Sequence, residues 1–230
     1  GHDSGYNYAA IYDYTSRFYK VSRLLGPGNI DEGLPRKTIT PPASQPTGPA
    51  ITDDVLKQCD VYIVKCPTAR FYQSEIECLK RFVDGGGGLL LIGEHTDVFG
   101  LGTNINDIAR LFGFQFRYDI LFNIDEEHPF DYLYNKLLVP HPIVQWMPPL
   151  DFEGPCTIVP SGPGRAVMLA LGQREEPAYY YASNFMPPPE DRADARYGAW
   201  VVMWATKYGK GRVVAHADFD LGDARAAIEQ

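Results

Sequence analysis

The first half of the chain alternates between short apolar runs and amphipathic segments. Residues 61–64 and 89–92 are continuous apolar runs of strand length, and residues 74–83 between them carry apolar side chains on one side at helical spacing. Residues 104–112 predict a further helix and residues 114–118 a further strand. This alternation predicts an α/β fold with a flavodoxin-like, mostly parallel open sheet and helices on both faces.

The second half is less regular and predicts additional irregular and antiparallel segments. Five apolar stretches of strand length are expected there, at residues 156–159, 166–171, 178–182, 199–205 and 212–216. Two proline-rich stretches, residues 26–49 and 186–196, predict surface loops that shape a ligand or partner surface. An aromatic helix is expected near the N-terminus, over residues 6–19. We interpret residues 1–230 as a single domain.

Composition narrows the classes of function. The chain has 230 residues and a formal net charge of −8, which argues against nucleic acid as a partner. No apolar run approaches the roughly 20 residues that span a bilayer, so we expect no membrane insertion by this segment. The four cysteines have no metal-binding spacing and predict reduced thiols. The 15 tyrosines are typical of surfaces that bind sugars or proteins, although many tyrosines are half-buried core residues.

Two polar clusters follow predicted strands. Glu94, His95, Thr96 and Asp97 come directly after the strand at 89–92, and His216 and Asp218 end the last strand. Because ligands bind at the carboxyl ends of strands in open α/β sheets, we expect both clusters to meet at one edge and to bind a ligand. Carboxylates beside the imidazoles would raise the histidine pKa and favour the charged form.

Two other interpretations of these clusters stay open. The acidic and hydroxyl side chains could simply cap turns and helices, as such residues do at many strand ends. If a metal is bound, His95, Asp97, His216 and Asp218 are the candidate ligands, with neutral imidazoles. His2, Asp3 and Asp220 are weaker candidates for the same role.

One stretch of sequence resembles a known superfamily. Residues 79–93, a helix end followed by four glycines and the apolar strand, resemble class I glutamine amidotransferase-like domains. The branch that looks most similar is non-catalytic and includes gliding-motility ABC-transporter auxiliary domains and intraflagellar-transport domains. Residues 3–6, 141–143 and 208–214, together with Asp218, are similar to further elements of that branch.

The resemblance implies a binding domain without catalysis. Catalytic amidotransferases carry a cysteine nucleophile after the strand that corresponds to residues 89–92, whereas here the turn contains no Cys or Ser. This argues against glutamine hydrolysis and leaves other enzymatic activity open. We therefore expect a carbohydrate-like ligand or a protein partner and no cofactor. The alternative is a metal-dependent hydrolase that uses the Glu, His and Asp side chains named above.

The resemblance also implies a sheet strand before the N-terminal helix. We therefore expect this chain to be a piece excised from a longer protein. Related domains occur in bacterial membrane proteins, which predicts the soluble portion of a membrane-associated protein.

Overall fold

A computed structural model describes residues 9–22, 24, 51–67, 69–122, 137–145, 152, 154–175 and 196–218. The two proline-rich loops expected at residues 26–49 and 186–196 lie outside the described residues, apart from Arg196, and so does the strand expected at 178–182. The helices are α1 (Ala9–Thr15), α2 (Asp53–Leu56), α3 (Gln73–Asp84) and α4 (Leu101–Ala109). The strands are β1 (Val61–Lys65), β2 (Gly88–Ile92), β3 (Phe114–Phe116), β4 (Ile120–Phe122), β5 (Leu137–Leu138), β6 (Ile158–Pro160), β7 (Arg165–Glu175), β8 (Arg196–Tyr208) and β9 (Gly211–His216).

The main sheet is mixed. Its strand order is β1-β2-β9-β8-β7-β4, and β5 pairs with the same strand as β4, namely β7. Only the β1–β2 and β2–β9 pairings are parallel, and the other four are antiparallel. The prediction of a mostly parallel sheet is therefore wrong for the described strands, and a flavodoxin-like topology is not confirmed. The coarser prediction, an α/β domain with antiparallel segments in its second half, is confirmed.

A tight turn explains one of these strand directions. β8 ends at Tyr208 and β9 begins at Gly211, so Gly209 and Lys210 alone connect them. A connection of two residues joins only antiparallel neighbours, whereas a parallel pair needs a long crossover. Gly209 has φ 54, in the left-handed region that suits glycine in such turns.

The third strand of the predicted alternation, at residues 114–118, is not part of the main sheet. β3 pairs with β6 in a separate two-stranded antiparallel sheet. Its side chains Phe114 and Phe116 are nevertheless buried and belong to the same core as α4. The apolar pattern therefore predicted the strand and its burial, but not its pairing partner.

Along β2 and β9, the most deeply buried apolar side chains lie on one face of the sheet. Leu89, Leu91, Val213 and Ala215 are between 0% and 2% exposed. They alternate along β2 and β9, and the register places Leu89 beside Val213 and Leu91 beside Ala215. The apolar side of α3 contributes to the same core. We call this the inner face, and we call the opposite side of the sheet the outer face.

The described helices are too short to span a membrane, and none of them is apolar enough over such a length. The four cysteines are free thiols, as the sequence predicted, with Cys78 and Cys156 buried and Cys59 and Cys66 half-buried.

Candidate functional site

The carboxyl ends of β2 and β9 lie side by side. Ile92 is in register with His216, and the next residue, Gly93, donates its N–H to the His216 carbonyl at 2.8 Å. Both polar clusters therefore start from the same edge of the sheet, because parallel neighbours end on the same side. We call this region the strand-end cluster, comprising Glu94–Asp97 and His216–Asp218.

The first three side chains of the turn after β2 are buried and bond to one another. Glu94, His95 and Thr96 are 2%, 5% and 2% exposed. The Glu94 Oε1 accepts from the His95 backbone N–H at 2.7 Å and lies 3.4 Å from the His95 Nε2. The His95 Nδ1 lies 2.8 Å from the Thr96 hydroxyl. This arrangement fits the tautomer in which Nε2–H faces the carboxylate and Nδ1 accepts from the hydroxyl.

Asp97 caps a helix. Its two carboxylate oxygens accept from the Thr103 N–H and the Thr103 hydroxyl, each at 2.7 Å, in the first turn of α4. A carboxylate in this position satisfies helix N–H groups that have no partner within the helix. For Asp97, this geometry supports the capping interpretation of the sequence.

The turn is conformationally strained. Thr96 and Asp97 have φ values of 51 and 53, in the left-handed region where a β-branched residue is rare. The Thr96 N–H donates to the Asp119 carbonyl at 2.9 Å, and the Asp97 carboxylate is bound to α4 as described above. These bonds at successive residues hold the backbone in this conformation.

His216 is enclosed by aromatic and main-chain groups. Its ring stacks on Phe152 with 4.9 Å between the ring centroids and 15° between the planes. Its Nδ1 donates to the Asp218 carbonyl at 2.7 Å. The opposite ring nitrogen, Nε2, is buried without a hydrogen-bond partner in the part of the chain that the structure describes.

The prediction that both histidines are charged is wrong. Burial lowers the pKa of His95 and of His216 from 6.5 to about 4, despite the Glu94 carboxylate beside one ring and the Asp218 carbonyl bound to the other. Loss of solvation disfavours the charged form of an imidazole more than these neighbours favour it. Both rings are therefore neutral near pH 7.

Three buried residues that contact the strand-end cluster, Asp119, Cys156 and Thr157, were not predicted as site residues. The Asp119 carboxylate accepts from the Thr157 N–H at 2.7 Å and from the Thr157 hydroxyl at 2.6 Å. Burial raises the pKa of the Cys156 thiol well above its usual range, and the nearby carboxylates of Asp119, Glu94 and Asp218 raise it further. Residues 156–157 fall in a predicted strand and residue 119 directly follows one, but the pattern carries no signal that they meet this cluster.

Two thiols near this edge donate to main-chain carbonyls. The Cys66 Sγ lies 3.5 Å from the Gly93 carbonyl oxygen, and the Cys156 Sγ lies 3.3 Å from that of Ala217. A thiol that donates to a carbonyl is held in its protonated form, which is a poor nucleophile. This geometry fits structural thiols.

The structure gives no support to a metal site in its described part. There, no group of three or more His, Cys, Asp or Glu side chains is placed to hold a metal ion. His95, Asp97, His216 and Asp218 are thus not arranged as a ligand set. His2, Asp3 and Asp220 lie outside the described residues.

The remaining histidine of the described residues has a local structural contact. His141 precedes the short 3₁₀ helix Pro142–Val144, and its Nδ1 accepts from the Ile143 N–H at 3.2 Å. The ring therefore caps this turn, which accounts for a histidine directly before a proline.

Part of the chain matches a known family of domains. Residues 46–137 match the family model of the IFT52 GIFT domain. This range contains β1, α3, β2 and the turn with Glu94–Asp97, and it supports a GIFT-type domain. No curated protein matches the chain.

The chain is also similar to several solved structures at low sequence identity. The N-terminal domain of mmIFT52 is 18% identical, with a TM-score of 0.52, and the match covers 76% of this chain and 72% of that one. A cytoplasmic protein from Salmonella typhimurium is 14% identical, with a TM-score of 0.44 and coverages of 75% and 65%. A cold-adapted beta-galactosidase from Rahnella sp. R3 is 15% identical, with a TM-score of 0.42 and coverages of 74% and 22%. At 18% identity, the similarity to the N-terminal domain of mmIFT52 concerns the fold alone.

Proposed function

We propose that this chain is a non-catalytic interaction domain whose partner is another protein. One observation carries the proposal: the polar side chains of the turn after β2 are engaged inside the protein. Glu94, His95 and Thr96 bond to one another, and Asp97 caps α4. An amide-hydrolysing site needs an activated thiol or hydroxyl beside a base, in reach of a substrate. The Thr96 hydroxyl lies beside the His95 imidazole, but Thr96 is 2% exposed and is therefore out of reach of a substrate.

The similarity to the GIFT domain of IFT52, an intraflagellar transport protein, supports the choice of a protein partner. A carbohydrate-like ligand was the other option from the sequence, and no contact of the described residues favours it. The hydrolase alternative would need a ligand set that the described residues do not form. Both remain outcomes of the test below.

The test compares three kinds of ligand on the whole chain. Affinity capture coupled to quantitative mass spectrometry identifies candidate proteins, which are then purified and titrated by calorimetry. Oligosaccharides, and Zn²⁺ alone, are screened by thermal shift. We expect a purified protein to bind saturably and to raise the melting temperature, because a ligand that binds only the folded state stabilises it. Stabilisation by a sugar or by Zn²⁺, with no protein binding in calorimetry, would overturn the proposal.

A second test concerns catalysis. We expect no ammonia release from glutamine by the wild-type chain, and no difference from it in the Thr96→Ala and Cys66→Ala variants. Ammonia release that disappears in either variant would contradict a non-catalytic role, because it would identify a working nucleophile.

A further inference from the structure

The outer face of the parallel part of the main sheet carries exposed apolar side chains. The register places Ile63 beside Leu90 and Leu90 beside Val214, so these three side chains form a row across β1, β2 and β9. Ile63 and Val61, which lies on the same face of β1, are 55% and 57% exposed. Leu90 and Val214 are half-buried. Since parallel strands are usually covered on both faces, this row is unusually open.

Segments that connect these strands pack on the inner face. A Cβ at Gly211 would meet the Val83 carbonyl at the end of α3, and a Cβ at Gly93 would meet the Phe116 ring of β3. Both glycines follow the inner-face alternation of β9 and β2. Right-handed connections between parallel strands that succeed one another in one direction lie on the same face of the sheet. A further strand beside β1, joined in this way, would therefore add its helix to the inner face and leave the outer face unchanged.

The charged residues at outer-face positions of β1, β2, β8 and β9 are all basic, namely Lys65, Lys207 and Arg212. Lys207 and Arg212 are exposed and lie directly beside each other in the β8–β9 register. Neither forms an ion pair with another of the described residues. Because like charges directly opposite each other destabilise a pair of strands, an acidic group beside both of them would be stabilising.

We call the exposed apolar and basic part of this face the outer patch, and it comprises Val61, Ile63, Leu90, Val214, Lys207 and Arg212. The chain as a whole has a formal net charge of −8, but no acidic residue occupies an outer-face position of these four strands. Interactions between exposed charges are screened over about 8 Å at physiological ionic strength. The charge that a docked segment meets is therefore the local, positive one.

We propose that the outer patch binds an acidic amphipathic helix of a partner protein. This inference rests on the proposed function, since it names the surface and the chemistry of the partner. The occupant is a helix because helices cover the faces of parallel sheets. Its apolar side would cover the row of Ile63, Leu90 and Val214, as in other complexes of amphipathic helices. Glu or Asp residues at one end of the helix would lie beside Lys207 and Arg212.

A second copy of this chain is a poor occupant of the outer patch. A symmetric dimer through this surface would bring the basic pairs of both copies into one interface, with no acidic residue of the patch between them. Like charges brought together across an interface oppose binding. The charges of the patch therefore favour a different, acidic partner.

The test is an NMR titration of the whole chain, with isotope-labelled Ile, Leu and Val methyl groups. The probe is a synthetic peptide of about five helical turns, with Leu along one side and Glu on both flanks. Millimolar probe should shift the methyl signals of Ile63, Leu90 and Val214 saturably and leave those of Leu171, which is 45% exposed on β7, unchanged. A peptide of the same composition in shuffled order, and one with Lys in place of each Glu, should bind at least tenfold more weakly.

Matched variants test the role of charge. The double variant Lys207→Glu with Arg212→Glu should weaken binding of the acidic probe by at least tenfold and strengthen binding of the Lys probe. The double variant Lys80→Glu with Arg110→Glu changes the net charge equally, at exposed positions of α3 and of the 3₁₀ turn after α4. It should leave both affinities unchanged.

Four results would overturn the inference. Two are the absence of methyl shifts at millimolar probe and equal binding of the acidic and Lys probes. The third is a nuclear Overhauser contact, without probe, between the Ile63 or Val214 methyl groups and another segment of this chain, which would show that the chain itself covers the outer patch. The fourth is methyl shifts that depend on chain concentration alone, which would indicate a second copy.

The proposed function fails separately. If a captured protein binds wild type and the Lys207→Glu, Arg212→Glu double variant equally, the inference about the outer patch is wrong and the interaction role stands. If no purified protein binds the wild-type chain, the interaction role itself is wrong, whatever the probe does.

Discussion

Burial sets the chemistry of individual side chains in the strand-end cluster. The clearest case is the pair His95 and His216, where loss of water lowers the pKa to about 4 in each ring. A neutral, buried imidazole packs against its neighbours and forms hydrogen bonds without a charge to solvate. It destabilises the fold only at a pH low enough to protonate histidine in the unfolded chain. The dependence of stability on acidic pH therefore tests the protonation state of these two residues.

Stability should fall as the pH drops from about 6.5 towards 4. Between these values the unfolded chain binds protons on His95 and His216 that the folded chain does not bind. The free energy of unfolding thus has its full value above the unfolded pKa and decreases below it, by about 3 kcal/mol for each histidine. Urea denaturation between pH 8 and pH 4 measures this dependence.

The variant His216→Asn should lose about half of this acid dependence, since its amide can still donate to the Asp218 carbonyl but does not titrate. His141→Asn leaves both buried rings in place and serves as the control. Identical pH profiles for wild type and His216→Asn would contradict the assignment of His216.

Asp119 should be a strong stabilising residue. It is fully buried, and its carboxylate accepts two hydrogen bonds from Thr157. Asp119→Asn turns an NH₂ group towards one of these donors and should lower the free energy of unfolding by about 1–3 kcal/mol. Asp54→Asn, in an exposed ion pair with Lys57, should cost less than about 0.5 kcal/mol. Equal losses in urea denaturation would argue against this role of Asp119.

At the scale of single elements, the end of a helix is fixed by a close approach of two glycines. Gly113 follows the 3₁₀ turn Arg110–Phe112 and has φ 79, and a Cβ there would lie 2.9 Å from the Gly162 Cα. Gly100 has a similar φ of 73, with nothing within 4 Å of its Cβ position. A side chain at either position would adopt an unfavourable φ, but only at Gly113 would it also contact a neighbouring backbone.

Gly113→Ala should therefore be more destabilising than Gly100→Ala. The left-handed conformation costs a non-glycine residue about 1–2 kcal/mol at either site. At Gly113 the backbone of Gly162 must also move, which adds to this cost. Differential scanning calorimetry of the two variants measures the difference. A melting temperature at least as high for Gly113→Ala as for Gly100→Ala would show that this contact is not tight.

At the scale of the whole molecule, the buried side chains on the inner face of the sheet contribute to the stability of the fold. Leu91 is 0% exposed and belongs to β2, which lies between β1 and β9. Leu91→Asp would bury a carboxylate without a partner, at a cost of several kcal/mol, and should abolish soluble expression. Leu171→Asp, on a side chain that is 45% exposed, should express normally. Soluble expression of both variants would contradict the central position of β2.

Local patterns predicted several elements well. The apolar runs at 61–64 and 89–92 are β1 and β2, and the helix predicted at 74–83 is α3 with one further residue at each end. The helix predicted at 104–112 corresponds to α4 and the 3₁₀ turn after it. These elements were predictable because periodicity over about five to twelve residues reflects which side chains are buried.

The sequence predicted where the candidate site lies but not which contacts its side chains make. The sequence places Glu94–Asp97 and His216 after two apolar strands, and the parallel pairing of those strands brings them to one edge. The sequence does not reveal that Asp97 caps α4, that Phe152 covers His216, or that Asp119 binds Thr157. Each of these contacts joins residues whose meeting depends on packing in three dimensions. Whether the cluster binds a ligand stays a prediction.

The sequence by itself determined the strands β1 and β2, the helices α3 and α4, the net charge, and the absence of Cys and Ser from the turn after β2. Only the tertiary structure decided the direction of the strands, the separate β3–β6 sheet, and the charge state of the histidines. The physical reason is that apolar periodicity records burial along one segment, whereas pairing and solvation depend on neighbours distant in the chain.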